Sequence, residues 1–176
     1  MSGKRKRELK DYQRENANKI ALEPTHAALV ADMTGTGKSV TAAAVLVHPA
    51  VNAKKTLIIC PTNTFGSDYK GWRAIIQNWT DLPVYDMNAK TYETCLAQWK
   101  DPDARGVWLI GREWFSIATT DLWHINPLTG TDDTTRPPKR PAKWRWTTYN
   151  RFLDVVIFDE VHAASNRKSK RFASLK

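Results

Sequence analysis

Two short segments of this chain carry residue types and spacings suited to chemistry, and they stand about 120 residues apart. The first, Thr34-Gly35-Thr36-Gly37-Lys38-Ser39, is a glycine-rich turn ahead of an alanine-rich stretch. Gly35 and Gly37 permit backbone conformations closed to most residues, so successive N–H groups can converge on phosphate oxygens. A helix opening near Lys38 would aim the positive end of its dipole at the same point. Lys38 would then reach the β- and γ-phosphates of ATP, and the Ser39 hydroxyl would ligate Mg²⁺. The full pattern G-x-x-x-x-G-K-[ST] asks for Gly at position 32, where this chain has Asp32. The competing interpretation is a glycine turn followed by a solvated lysine.

The second segment, Asp159-Glu160-Val161-His162, closes the apolar run Val155-Val156-Ile157-Phe158. An acidic pair at the C-terminal end of a buried strand lies where open α/β sheets bind ligands. Asp159 would hold Mg²⁺, and Glu160 would orient or deprotonate the attacking water. The plain alternative is an acidic turn that only ends a strand. Taken together, the two segments predict a chain that binds and hydrolyses ATP.

Alternating elements must position both segments. A helix is expected over residues 9–22, then a turn at Glu23-Pro24-Thr25 and a short buried strand at Leu29-Val30-Ala31 leading into the glycine loop. Residues 40–47, with three consecutive alanines, read as the helix after that loop. Further strands are expected at 56–60, 84–87, 107–110 and 155–158, with helices over 69–79 and 92–99. Trp72, Ile75, Ile76 and Trp79 recur at helical spacing, a stripe best explained as packing against the sheet. Alternation of this kind predicts an α/β fold, a mostly parallel sheet with helices on both faces.

Composition narrows the function classes. The chain has 176 residues, enough for one domain, with 41% hydrophobic residues and eight tryptophans for a core. Its formal charge is +9, which favours a polyanionic partner such as nucleic acid. Cys60 and Cys95 are too few for a disulfide framework or a zinc cluster. No run approaches the length of a membrane span, so no membrane partner and a cytoplasmic location are expected. Residues 1–8 form a basic arm around Lys4 to Arg7, most simply a solvated tail. Residues 121–149 hold Pro127, Pro137, Pro138 and Pro141, which exclude long regular elements. The same stretch interleaves Arg136, Lys139, Arg140, Lys143 and Arg145 with Trp144, Trp146 and Tyr149. Either these rings stack on single-stranded nucleic acid, or they pin a surface insertion to the domain.

The motifs, in this order, resemble those of superfamily 2 helicases. Leu9-Lys10-Asp11-Tyr12-Gln13 is similar to the adenine-reading Q motif, and Asp159-Glu160-Val161-His162 to the D-E-x-H form of motif II. The Swi/Snf-like branch is the nearer likeness. Its A-D-E-M-G-L-G-K-T loop resembles Ala31-Asp32-Met33-Thr34-Gly35-Thr36-Gly37-Lys38-Ser39, which gives Asp32 a place. Ile59-Cys60-Pro61-Thr62, followed by Trp72, is similar to motif Ia, and Ala163-Ala164-Ser165-Asn166-Arg167-Lys168-Ser169-Lys170 to the R-I-K-N-x-x-S-K continuation.

The resemblance implies a RecA-like P-loop NTPase domain over residues 9–176, the N-terminal motor domain of a DNA-dependent ATPase. Gln13 would read adenine, and Thr34 to Ser39 would hold ATP and Mg²⁺. Asp159 would complete the metal site, with Lys38 and Glu160 in catalysis and His162 coupling nucleotide state to other motifs. Thr62 and the Gly111-Arg112 turn would touch the DNA backbone, DNA being preferred to RNA. A motif III strand between the phosphate-loop and motif II strands, and a second RecA-like domain carrying arginine fingers, are not recognisable in the sequence. The expected fold therefore lacks its C-terminal strands, the isolated chain should hydrolyse ATP weakly, and a partner chain should supply motifs III to VI. A compact core of this kind suits a bacteriophage gene acting in host cytoplasm; a bacterial one would be nucleoid-associated and a eukaryotic one nuclear. The alternative function is a non-enzymatic module that binds nucleic acid or regulates a full-length helicase.

Overall fold

The computed structural model describes residues 8–25, 27–30, 35–67, 70–121, 124–125, 131–135 and 138–160, with the backbone alone for 124–125 and 132–133. In chain order these residues form helices α1 (Asp11–Ala21) and α2 (Lys38–Leu46), strand β1 (Lys55–Cys60), α3 (Gly71–Trp79), β2 (Val84–Met87), α4 (Tyr92–Lys100), β3 (Gly106–Gly111) and α5 (Arg112–Thr119). The two-residue strands β4 (His124–Ile125) and β5 (Asp132–Asp133), the short helix α6 (Trp146–Tyr149) and β6 (Val155–Phe158) follow. The fold is α/β. One four-stranded sheet runs in the order β2-β3-β1-β6, every pairing in it parallel, and β4 and β5 form a separate antiparallel pair.

Parallel strands covered on both sides favour near-continuous apolar runs, and β1 and β3 are buried at every position, the polar Lys55 and Thr56 of β1 included. Alternate residues serve opposite faces. Leu57 and Ile59 pack with Trp108, Ile110 and Met87 beneath Leu96 and Trp99 of α4 and Phe115 of α5. Ile58 and Cys60 pack with Val107 and Leu109 beneath Ala43 and Leu46 of α2 and Trp72 and Ile76 of α3. The expected stripe on α3 thus does face the sheet. Helix α1 lies on α2 through Ala17, Ala44 and Val45.

Local chemistry ends these elements where the sequence suggests. Pro61 follows β1, and Pro102 follows the extended Asp101 that caps α4. Helix α5 escaped the sequence reading because it begins directly at the end of a strand. Its buried Phe115, Ser116 and Ala118 show the face that the periodicity held.

One expectation is corrected. Leu29 and Val30 form no strand, and Leu29 is 76% exposed; Ala31 lies outside the described residues. A short apolar run stays in a sheet only beside a strand that satisfies its backbone. Among the described residues β6 pairs with β1 alone, so its other edge offers no ladder that reaches Leu29.

Candidate nucleotide site

The C-terminal ends of β3, β1 and β6 lie side by side, with Gly111 opposite Cys60 and Phe158 opposite Ile59. The ladder continues one step beyond β6, where the Asp159 N–H donates to the Ile59 carbonyl at 2.9 Å. Asp159 therefore leaves the sheet in a fixed direction. Glu160 follows in a left-handed turn, φ +53°, a conformation that costs a non-glycine residue about 1 to 2 kcal/mol and persists only where the surroundings hold it.

Each carboxylate of this pair has a side-chain partner contributed from a distant part of the chain. The indole N–H of Trp72, a residue only 3% exposed, donates to Asp159 Oδ2 at 2.9 Å. Arg112 Nη1 lies 3.5 Å from Glu160 Oε2, and Arg112 Nε donates to Glu113 Oε1 at 3.0 Å. Cys60 lies in the middle of the row; burial pushes its thiol up to about 12, and the Asp159 charge pushes the same way.

The described half of the glycine loop has a shape suited to anions. Gly35 and Gly37 both adopt left-handed backbone, φ +83° and +82°. Gly37 caps α2, so Lys38 and Ser39 open the helix in its first turn, where N–H groups lack partners inside the helix. A Cβ on Gly35 would meet nothing within 4 Å, whereas one on Gly37 would strike Gln13 Nε2 at 2.5 Å. The loop is therefore open on one side and braced on the other.

Gln13 and Tyr12 supply the brace. Gln13, 6% exposed, accepts the Lys10 N–H on Oε1 at 3.1 Å and donates from Nε2 to the Thr36 carbonyl at 3.3 Å. The Tyr12 hydroxyl donates to the same carbonyl at 2.6 Å. Helix α1 is thus tied to the loop by the residues that the sequence singles out. Thr34 and His162, along with residues 163–170, lie outside the described residues.

A divalent cation would depend on ligands from several sources. Among the described residues no group of three or more His, Cys, Asp or Glu side chains could hold a metal. One carboxylate oxygen with a hydroxyl suits Mg²⁺, which keeps several waters and takes further ligands from phosphate. The resemblance names Asp159 and Ser39 for that role.

The insertion resolves differently from either half of the site. Trp144 is 4% exposed and meets Trp99 and Phe115 edge-on, with centroids 5.7 and 5.8 Å apart. Asp121 pins the same segment, accepting from the Ala142 N–H at 2.7 Å and Arg145 Nη1 at 2.8 Å. Lys143 lies over the Tyr92 ring, and Arg140 donates to the Ile117 carbonyl. Trp144 is used for packing, which favours the surface insertion over a stacking platform at that ring. Thr62 is exposed, but Arg112 is turned inward. No family model matches this sequence, and no curated protein matches it. No described helix is long and apolar enough to cross a membrane.

Two partners in the site were not apparent from the sequence. Trp72 reads only as core in the sequence; a buried indole N–H usually takes an acceptor, as that of Trp72 does and those of Trp99 and Trp144 do not among the described residues. Arg112 read as a backbone contact because its distance from Glu160 along the chain hides their proximity.

Proposed function

We propose that this chain is the N-terminal ATP-binding motor domain of a DNA-dependent ATPase, a helicase or double-stranded DNA translocase, completed by a second RecA-like domain. The observation that carries this reading is the loop opening α2. It has two left-handed glycines ahead of Lys38 and Ser39, with the Gln13 amide braced on the Thr36 carbonyl. The acidic turn at the same edge of a parallel sheet as the ends of β1 and β3 adds the second half of the chemistry. Among the described residues β6 pairs with β1 alone, which suits a RecA-like core in which a further strand lies beside β6.

In this reading the backbone of Gly35 to Gly37 cradles phosphate, Lys38 neutralises its charge and Ser39 and Asp159 hold Mg²⁺. When bound, the metal supplies Lewis-acid stabilisation of the transferring phosphoryl group. Glu160 takes the proton of the attacking water; of the Gln13 amide, bonded to Lys10 and Thr36, the second Nε2 proton would be left to read adenine. The formal charge of +9 suits contacts to phosphates, which are blind to sequence.

The test is ATP binding and hydrolysis by this chain with and without DNA, alone and mixed with a protein carrying a second RecA-like domain. Binding should be lost in Lys38→Ala, and Glu160→Gln should lower hydrolysis by about 10² to 10⁴ while ATP still binds. DNA binding indifferent to ATP and to Lys38→Ala would instead identify a non-enzymatic module.

A further inference from the structure

The resemblance to helicases places Arg112 on DNA, yet its side chain is only 17% exposed and is turned toward the acidic pair. Its backbone opens α5 immediately after β3, and β1 separates β3 from β6. The guanidinium therefore crosses the end of β1 to reach Glu160. The end of β3 and the turn after β1 lie close together: a Cβ on Gly111 would lie 2.6 Å from Thr62 Oγ1.

The contacts on the guanidinium are unequal. Nε is braced by Glu113 from the same helix, at 3.0 Å. Nη1 is buried without a hydrogen-bond partner among the described residues, and the Glu160 carboxylate is 3.5 Å away. A buried N–H left unpaired costs about 1 to 3 kcal/mol, so a small approach by Glu160 that closes this gap is favoured. Glu160 is itself 47% exposed and sits in a left-handed turn, with little packing of its own to fix its side chain.

We propose that Arg112 is a positioning residue for the Glu160 carboxylate. The guanidinium, held by Glu113, anchors Oε2 and leaves Oε1 to face the water that Glu160 activates. This inference rests on the reading of Glu160 as the base of an ATPase. A guanidinium fits the task better than an ammonium because its fork engages two carboxylates in fixed directions.

Two measurements on the full chain test it. In single-turnover hydrolysis of pre-bound ATP, Arg112→Gln should slow the reaction about tenfold or more through misplacement of the base. Nucleotide affinity should stay within about twofold, as expected when only the chemical step is affected. Arg112→Lys should recover part of the rate, and Arg112→Gln should add nothing in a Glu160→Gln background. Affinity falling in step with rate, the same slowing in the Glu160→Gln background, or a loss confined to DNA affinity would overturn the proposal.

The second measurement needs no nucleotide. The Arg112 Nε–Hε cross-peak in an NMR spectrum of ¹⁵N-labelled protein should move on Glu160→Gln. An unmoved cross-peak overturns the pairing even if the chain hydrolyses ATP. A shifted cross-peak in a chain that binds no ATP supports the pairing and removes the ATPase reading instead.

Discussion

Carboxylates flank strand β6 on both sides, and the two ends are treated differently. At its start Asp154 Oδ2 accepts two backbone N–H groups, those of Lys54 and Lys55, each at 2.8 Å. The neighbouring Lys55 side chain, 8% exposed, donates to the carbonyls of Trp99 at 2.9 Å and of Asp101, closing the end of α4. At the far end Asp159 has the Trp72 indole and Glu160 has Arg112, one side chain apiece. A carboxylate offers about four lone-pair sites, so each of the latter pair keeps acceptor capacity for a ligand. The lesson is that polar groups consumed by backbone partners hold the sheet together, while those held by one side chain stay available for chemistry.

The sharpest way to break this contrast is the same change at both ends of the strand. Asp159→Asn keeps an acceptor for Trp72 and should leave stability within about 0.5 kcal/mol. On the proposed ATPase reading it should nevertheless reduce Mg²⁺-dependent ATP hydrolysis by about a hundredfold or more, because the metal would lose its anionic ligand. At the other end Lys55→Met should leave nucleotide affinity intact and destabilise the fold by about 2 kcal/mol, since two carbonyls lose a charged donor. Asp154→Asn should cost about 1 to 2 kcal/mol by weakening two charge-assisted bonds, again without effect on nucleotide. Urea denaturation and equilibrium nucleotide binding on the same samples read both quantities. Equal stability losses at Asp154 and Asp159 would collapse the distinction.

The smallest effect concerns Asp121, which like Asp154 accepts two hydrogen bonds, here one from a backbone N–H and one from Arg145. The hydrogen bond from Arg145 holds its carboxyl below the usual value, with the Ala142 N–H acting in the same direction against the opposing effect of burial. A folded value below the unfolded one means that its contribution to stability is complete above the unfolded value. That contribution fades as pH falls through the folded value. Below about pH 4 the midpoint of thermal unfolding should fall less in Asp121→Asn than in the parent, by an amount worth under about 1 kcal/mol because Arg145 is well exposed.

Much of the fold was legible because it is locally encoded. The runs at 84–87 and 155–158 became β2 and β6 with unchanged boundaries, since apolar, β-favouring residues in short blocks have few other solutions. The left-handed turns at Gly35 and Gly37 were legible because that backbone conformation follows from residue type. Trp144 could not be assigned between packing and stacking, because a tryptophan in an irregular segment has no period to betray its neighbours. Leu29 and Val30 misled for a related reason: apolar character promises a strand, but only a partner strand delivers it.

The sequence by itself determined most of the strands and helices, though not α5 and not the absence of a strand at Leu29 and Val30, and it singled out Lys38, Asp159 and Glu160 as side chains whose chemistry would suit a nucleotide. Those are properties of backbone propensity and side-chain chemistry within a few residues. Only the tertiary structure decided the strand order β2-β3-β1-β6, the turning of the Trp72 indole to Asp159 across 87 residues of chain, and the approach of Arg112 to Glu160. Such contacts depend on which sheet edges meet. Pairing between distant strands is a competition among whole arrangements of the chain, and no local pattern records its outcome.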